Sequence, residues 1–136
     1  MPNLAFTIRN DLDGLAEAAD TAISFLEANH APSGAVFAAH LAIEEILSNT
    51  IKYGYQDTRR HEMTIRLTLT ESALEIEITD DGNAFNPFAH PKPDFSLPSD
   101  LRPIGGLGIH LVRHMLDAYA YVRRDGRNIV RLTKKF

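Results

Sequence analysis

The 136-residue chain contains no cysteine, which excludes disulfides and thiolate metal sites and accords with a reducing compartment. Nowhere do about 18 apolar residues run together, so no membrane span is expected. The opening MPNLAFTIRNDLDG lacks a basic stretch followed by a long apolar core. No signal peptide is therefore expected, and the expected location is cytoplasmic. Positive charge is scarce: 14 Lys and Arg stand against 18 Asp and Glu, a net charge of −4. That leaves no broad electrostatic footprint for nucleic acid. None of the serines sits in a G-x-S-x-G setting. What remains is ordinary for a folded protein, with 44% apolar and 24% charged residues and a length that suits one domain over residues 1–136.

Leu4 to Arg9 alternates apolar and polar residues and reads as a strand. Asn10 or Asp11 stands where it would cap a helix running to about Ala28. NHAPSG breaks that helix, and Pro32 or Ser33 opens a second one reaching about Tyr53. EMTIRLTLT and ALEIEITD alternate on either side of the short ESA connection, the pattern of a hairpin. GGLGIHLVRHMLDAY opens on glycines and becomes a third helix; AYAYVRRDGRNIVRLTKKF reads as two strands around an Asp-Gly turn. The order β-α-α-β-β-loop-α-β-β predicts an α+β two-layer sandwich, one mixed, mostly antiparallel sheet with helices on one face. The loop from Asp81 to Pro103 holds Pro87, Pro91, Pro93, Pro98 and Pro103. Its length is unusual inside a compact domain unless it is a functional lid or locally disordered.

Three clusters bear on chemistry. In HLAIEEILSNTIKYGY, Glu45, Asn49 and Lys52 fall on the side of the helix opposite Val36, Ala39, Ile43, Leu47 and Thr50. These polar residues fit a solvated face. They equally fit a site in which a carboxylate takes a proton and an amide oxygen ligates Mg²⁺, a cation that selects hard oxygen donors. In ITDDGNAFNP, Asp80 closes a strand and Gly82 follows; the carboxylate could accept from an exocyclic amine while the glycine admits a flat ring. An Asp-Gly turn explains the same residues, and Phe85 equally suits a core plug. In GGLGIH, glycines at a helix start let backbone N–H groups converge on an anion, though no P-loop or G-x-G-x-x-G pattern is present. His110 and His114 have zinc-ligand spacing but lack the glutamate of H-E-x-x-H and a third ligand.

Taken together, E-x-x-x-N on a helix, D-x-G-x-x-F after a strand and G-G-L-G-I opening a helix resemble the GHKL nucleotide-binding superfamily. The wording EEILSNTIKYGY, DDGNAFNP and GGLGIHLVRHMLD is most similar to the anti-sigma-factor serine/threonine kinases of the RsbW type, along nearly the whole chain. The resemblance implies a Bergerat-type ATP-binding fold, ATP and Mg²⁺ as cofactors, and a lid over about residues 86–104. It implies Glu45 as general base, Asn49 as Mg²⁺ ligand, Asp80 and Gly82 at adenine, and Gly105, Gly106, Leu107 and Gly108 at the phosphates. Asp81, the variable position between the two adenine residues, need meet nothing. Arg102 near the end of the lid is a plausible phosphate contact without a motif match. The implied activity is ATP-dependent phosphorylation of a small STAS-type anti-sigma-factor antagonist, alternating with sequestration of a sigma factor, by a homodimer that binds no nucleic acid or membrane. A non-catalytic module that binds ATP or ADP as a conformational ligand would carry the same three boxes. A histidine kinase catalytic domain fits less well, because only a few residues precede the first strand.

Overall fold

A computed structural model describes residues 1–89 and 106–136, with the side chains of residues 106 and 107 left aside. The strands are β1 (Asn3–Arg9), β2 (Glu62–Leu69), β3 (Ala73–Asp80), β4 (Ala118–Arg124) and β5 (Arg127–Lys135). The helices are α1 (Leu12–Ala28), α2 (Ser33–Tyr53) and α3 (Gly106–Met115). Asp11 caps α1, its Oδ1 accepting from the Gly14 amide at 2.8 Å. This satisfies one of the amide groups that a helix start leaves without a partner.

The sheet runs β1-β2-β3-β5-β4, and every pairing among the described residues is antiparallel. The Asp-Gly turn between β4 and β5 has Asp125 at φ 52° and Gly126 at φ 75°. Two left-handed residues in a two-residue connection match the twist of the flanking strands. Strand alternation then does the sorting. Ile65 faces Ile78 and Leu67 faces Ile76 across β2 and β3, and Ile76 and Ile78 face Leu132 and Val130 of β5. All six are buried beneath α1 and α2. Each such side chain contributes about 1.5–3 kcal/mol on burial. The helices contribute both alanines, Ala18, Ala22, Ala35, Ala39 and Ala42, and larger side chains such as Leu26, Ile43, Ile46 and Leu47 to the same core. The opposite sheet face is polar, with Arg131 and Glu77 paired at 3.0 Å.

Helix α3 stops at Met115, short of the reach of its apolar pattern. The Leu116 amide still bonds the Val112 carbonyl, but the Asp117 amide goes to Thr133 O at 2.9 Å, so the backbone has passed to the sheet. Of the expected lid, Asn86 to Ala89 are described, with a 3-10 turn at Pro87–Ala89. The remainder, with Arg102 and Gly105, lies outside the described residues. Among the described residues no helix is long and apolar enough to cross a membrane.

Candidate functional site

Helix α2 supplies the first half of the site. Glu45 and Asn49 stand one turn apart, as expected from their spacing, but they do not form a solvated face with Lys52. Asn49 is only 5% exposed, Glu45 is half-buried, and Lys52 alone is exposed. Helix α2 is flanked by both α1 and α3 and also touches β5. Asn49 carries the clearest sign of unmet demand. Its Nδ2 is buried without a hydrogen-bond partner among the described residues. An unsatisfied buried amide costs about 1–3 kcal/mol.

Glu45 lies against the first turn of α3. A Cβ built on Gly108 would overlap both carboxylate oxygens and Cδ of Glu45, so the carboxylate keeps its present seat only while residue 108 is glycine. The carboxylate thus rests beside a helix N-terminus, where the dipole favours negative charge. Burial nevertheless raises the Glu45 pKa above the ordinary carboxylate value, with Glu44 adding to the effect and Lys52 opposing it. Gly106 opens α3, Leu107 follows it, and Gly105 falls outside the described residues.

The other half is built at the end of β3. Asp80 is 4% exposed, and its Oδ1 accepts from the Gly82 amide and from Asn128 Nδ2, both at 2.9 Å. Among the described residues nothing donates to Oδ2. Burial raises the Asp80 pKa, while the bonds from Asn128 and the Gly82 amide pull it down. Asn128 is the organiser that the motifs did not reveal. Its Nδ2 also donates to Asn83 O at 2.8 Å, and its Oδ1 accepts from Tyr121 Oη at 2.5 Å and from the Phe85 amide at 3.3 Å. A signal for it existed: Asn128, Val130 and Leu132 share the inward face of β5, and an inward asparagine in an alternating strand asks for partners.

Gly82 is required by a close backbone approach. A Cβ there would stand 2.6 Å from Gly54 O. The same carbonyl accepts from the Asn83 amide at 2.7 Å, so the turn after β3 is stitched to the residue capping α2. Arg123 Nη1 donates to Gly82 O at 2.7 Å from β4. Phe85 is half-buried with its ring 6.0 Å from that of the exposed Tyr53, so it does not plug the core. Asp81, of which the motif requires no partner, accepts from Tyr55 Oη at 3.3 Å and pairs with His61 Nδ1 at 3.3 Å. The strand pattern could not anticipate these partners because they come from the α2–β2 connection.

The site therefore brings Glu45, Asn49 and Gly108 together around α2 and α3, and sets Asp80 and Gly82 on a turn fastened to the end of α2. A family model for the histidine kinase-like ATPase domain matches residues 8–134. The chain is similar to the serine/threonine-protein kinase BtrW of Bordetella bronchiseptica, 34% identical over 99 residues covering 71% of this chain and 68% of that one. It is similar to the serine-protein kinase RsbW of Bacillus subtilis, 29% identical over 91 residues covering 63% of this chain and 56% of that one. RsbW of Listeria monocytogenes is 23% identical over 94 residues, covering 66% and 60%. The matched stretch thus spans under two thirds of both RsbW proteins. Among solved structures, the RsbU and RsbW domains of Rv1364c from Mycobacterium tuberculosis superpose with a TM-score of 0.70 at 14% identity, over 98% of this chain and 32% of that one, which shows the fold. This chain belongs to the histidine kinase-like ATPase domain family, within its RsbW-like branch.

Proposed function

We propose that the chain is an ATP-dependent serine/threonine protein kinase that acts as an anti-sigma factor, phosphorylating a STAS-type antagonist and otherwise holding a sigma factor. The observation that carries this reading is the seating of the Glu45 carboxylate against Gly108, one helical turn from an amide whose hydrogen-bonding demand is unmet. Asp80 accepts the adenine amine through Oδ2, since Oδ1 is already occupied by Asn128 and the Gly82 amide. Backbone amides of Gly106, Leu107 and Gly108 hold the phosphates at the start of α3; Gly105, assigned to the same task by the family resemblance, lies outside the described residues. Asn49 Oδ1 is the hard oxygen that would ligate Mg²⁺, while its unpartnered Nδ2 is a donor left free for an acceptor such as a phosphate oxygen. When bound, Mg²⁺ neutralises charge on the phosphate oxygens.

Glu45 then takes the proton of the incoming serine hydroxyl. The serine oxygen forms its bond to the γ-phosphorus as the bond to the β-phosphate oxygen breaks, and ADP leaves with that electron pair. The raised Glu45 pKa suits a base of this kind, because a carboxylate with a greater proton affinity accepts more readily. A homodimer in the cytoplasm is part of the same proposal.

The test is transfer of labelled γ-phosphate from ATP to a STAS-type protein of the same organism, with Glu45→Ala beside the wild type. Retained nucleotide affinity with phosphotransfer lost by about 10²-fold or more supports the base role. A wild type that binds ATP and transfers nothing to any such protein favours the module that uses nucleotide only as a conformational ligand.

A further inference from the structure

The second aspartate of the D-D-G turn has a built environment of its own. His61, at the end of the connection between α2 and β2, has a side chain only 15% exposed and lies between two carboxylates. Its Nε2 is 2.8 Å from Asp57 Oδ1 and its Nδ1 is 3.3 Å from Asp81 Oδ1. The Tyr55 ring stacks on the imidazole at 4.5 Å between centroids, and the Tyr55 hydroxyl donates to Asp81. Asp57 is held in turn by the backbone amide of Arg59 at 3.0 Å and by its guanidinium at 3.3 Å. The His61 backbone is fixed from another direction, its amide donating to Asn10 Oδ1 at 3.0 Å while its carbonyl accepts from the Asn10 amide at 3.1 Å. Arg123 from β4 lines the same cleft, and Arg9 and Asp11 line the adjoining one with Tyr55 and Asp57. An isolated surface ion pair contributes little. This one is a network closed by stacking around a mostly buried imidazole, and it lies where the two halves of the site join.

We infer that the Asp81–His61–Tyr55 clasp is a positioning device that sets the adenine-reading turn against α2, making Asp81 and His61 determinants of adenine recognition although neither touches the nucleotide. The inference rests on the kinase reading of the site and deepens it. The chain of contacts is short. Asp81 is covalently next to Asp80, whose free oxygen reads the amine. Gly54, which caps the helix bearing Glu45 and Asn49, is in backbone contact with Gly82 and Asn83. Tyr55 and Asp81 extend that backbone seam by one residue on each side, so loosening the clasp lets the Asp80 carboxylate drift relative to α2.

The clasp also has a sign in pH. The bond to Asp57 raises the His61 pKa above its ordinary value, with Asp81 reinforcing it. A raised histidine pKa gives stability that is fully present below the ordinary value near about 6.5 and is lost as pH rises through the raised one. The clasp therefore weakens on the alkaline side, opposite in direction to any loss from protonating Asp80.

The experiment compares wild type, Asp81→Asn and Asp81→Glu by histidine NMR titration without nucleotide, and by ATP and ITP binding between about pH 6 and about pH 9. ITP lacks the amine that Asp80 reads. Asp81→Asn is expected to lower the His61 midpoint, to weaken ATP about fivefold or more while leaving ITP nearly unchanged, and to flatten the alkaline loss of ATP affinity. Asp81→Glu should restore part of each effect. An unchanged His61 midpoint, or an unchanged ATP-to-ITP ratio in Asp81→Asn, overturns the inference while the nucleotide site stands. A wild type that binds neither nucleotide overturns the kinase reading itself, and the clasp loses its role in adenine recognition with it.

Discussion

Replacing Gly108 by alanine separates the phosphate role that the resemblance implies for it from the seat it gives the Glu45 carboxylate. In a helix interior, Gly→Ala ordinarily stabilises by about 0.5–1 kcal/mol, and Gly108 is the third residue of α3. Its φ is not in the left-handed region, so the backbone tolerates the change. The added methyl meets no backbone atom, only the Glu45 carboxylate, where it would fall well inside contact distance of both oxygens and the carbon joining them. To regain ordinary van der Waals separation the carboxylate must withdraw by on the order of 1 Å. A misplacement of that size in a catalytic group lowers turnover by about 10²-fold. Gly108→Ala should therefore leave the melting temperature unchanged or slightly raised and nucleotide affinity within a few-fold, as calorimetry would show. Phosphotransfer should fall by about 10²-fold or more in single-turnover assays. If Gly108→Ala loses ATP affinity as steeply as turnover, the glycine serves the phosphates and the reasoning fails. If it is fully active, turnover does not depend on the present seat of the Glu45 carboxylate and the reasoning fails as well.

Other substitutions probe the rest. Asn128→Ala removes the donor that fixes Asp80 Oδ1 and leaves Tyr121 and the Phe85 amide short of an acceptor; it should lower stability by about 1–3 kcal/mol in denaturant unfolding and reduce the preference for ATP over ITP. Asp80→Asn should weaken ATP by about 1.5–3 kcal/mol, and wild-type affinity in that variant would remove the adenine assignment. A Glu45 that acts as the proposed base must be ionised to take a proton, and because its pKa is raised, kcat should fall with acidification at a higher pH than the ordinary glutamate value of about 4.3 would give. Gly14→Ala should destabilise despite its better helix propensity, since the new methyl would overlap the Arg9 carbonyl of the chain entering α1, and backbone cannot step aside as a side chain can.

The fold was almost entirely legible because its elements are consistent at the local level. The Asp11 cap, the Pro32–Ser33 start, the period-two strands and the Asp125–Gly126 turn each carry a distinct short-range signal, and each element formed where that signal stood. The site was legible as an ordered set of three boxes but not as an arrangement. Helical periodicity put Asn49 opposite the apolar side because it knows nothing of the tertiary neighbours of α2, and in the fold Asn49 is buried. The partners of Asp81 were hidden for the same reason: Tyr55 and His61 are far along the chain, and only the seam between Gly54 and the turn after β3 brings them together. Asn128 sits in a stretch that reads simply as a closing strand, so its polar contacts with Asp80 depend on the β3–β5 register, which pairs the two residues.

The central claim is that Asn49 and Asp80 bracket a Mg²⁺-dependent adenine nucleotide site, and isothermal titration calorimetry with ATP tests it most directly, with and without Mg²⁺, on wild type and Asn49→Ala. The account predicts Mg²⁺-dependent binding in the wild type and its loss in Asn49→Ala, while the unliganded variant unfolds no earlier than the wild type because a buried, unpartnered amide has been removed. Binding that ignores Mg²⁺, or that survives intact in Asn49→Ala, would contradict it.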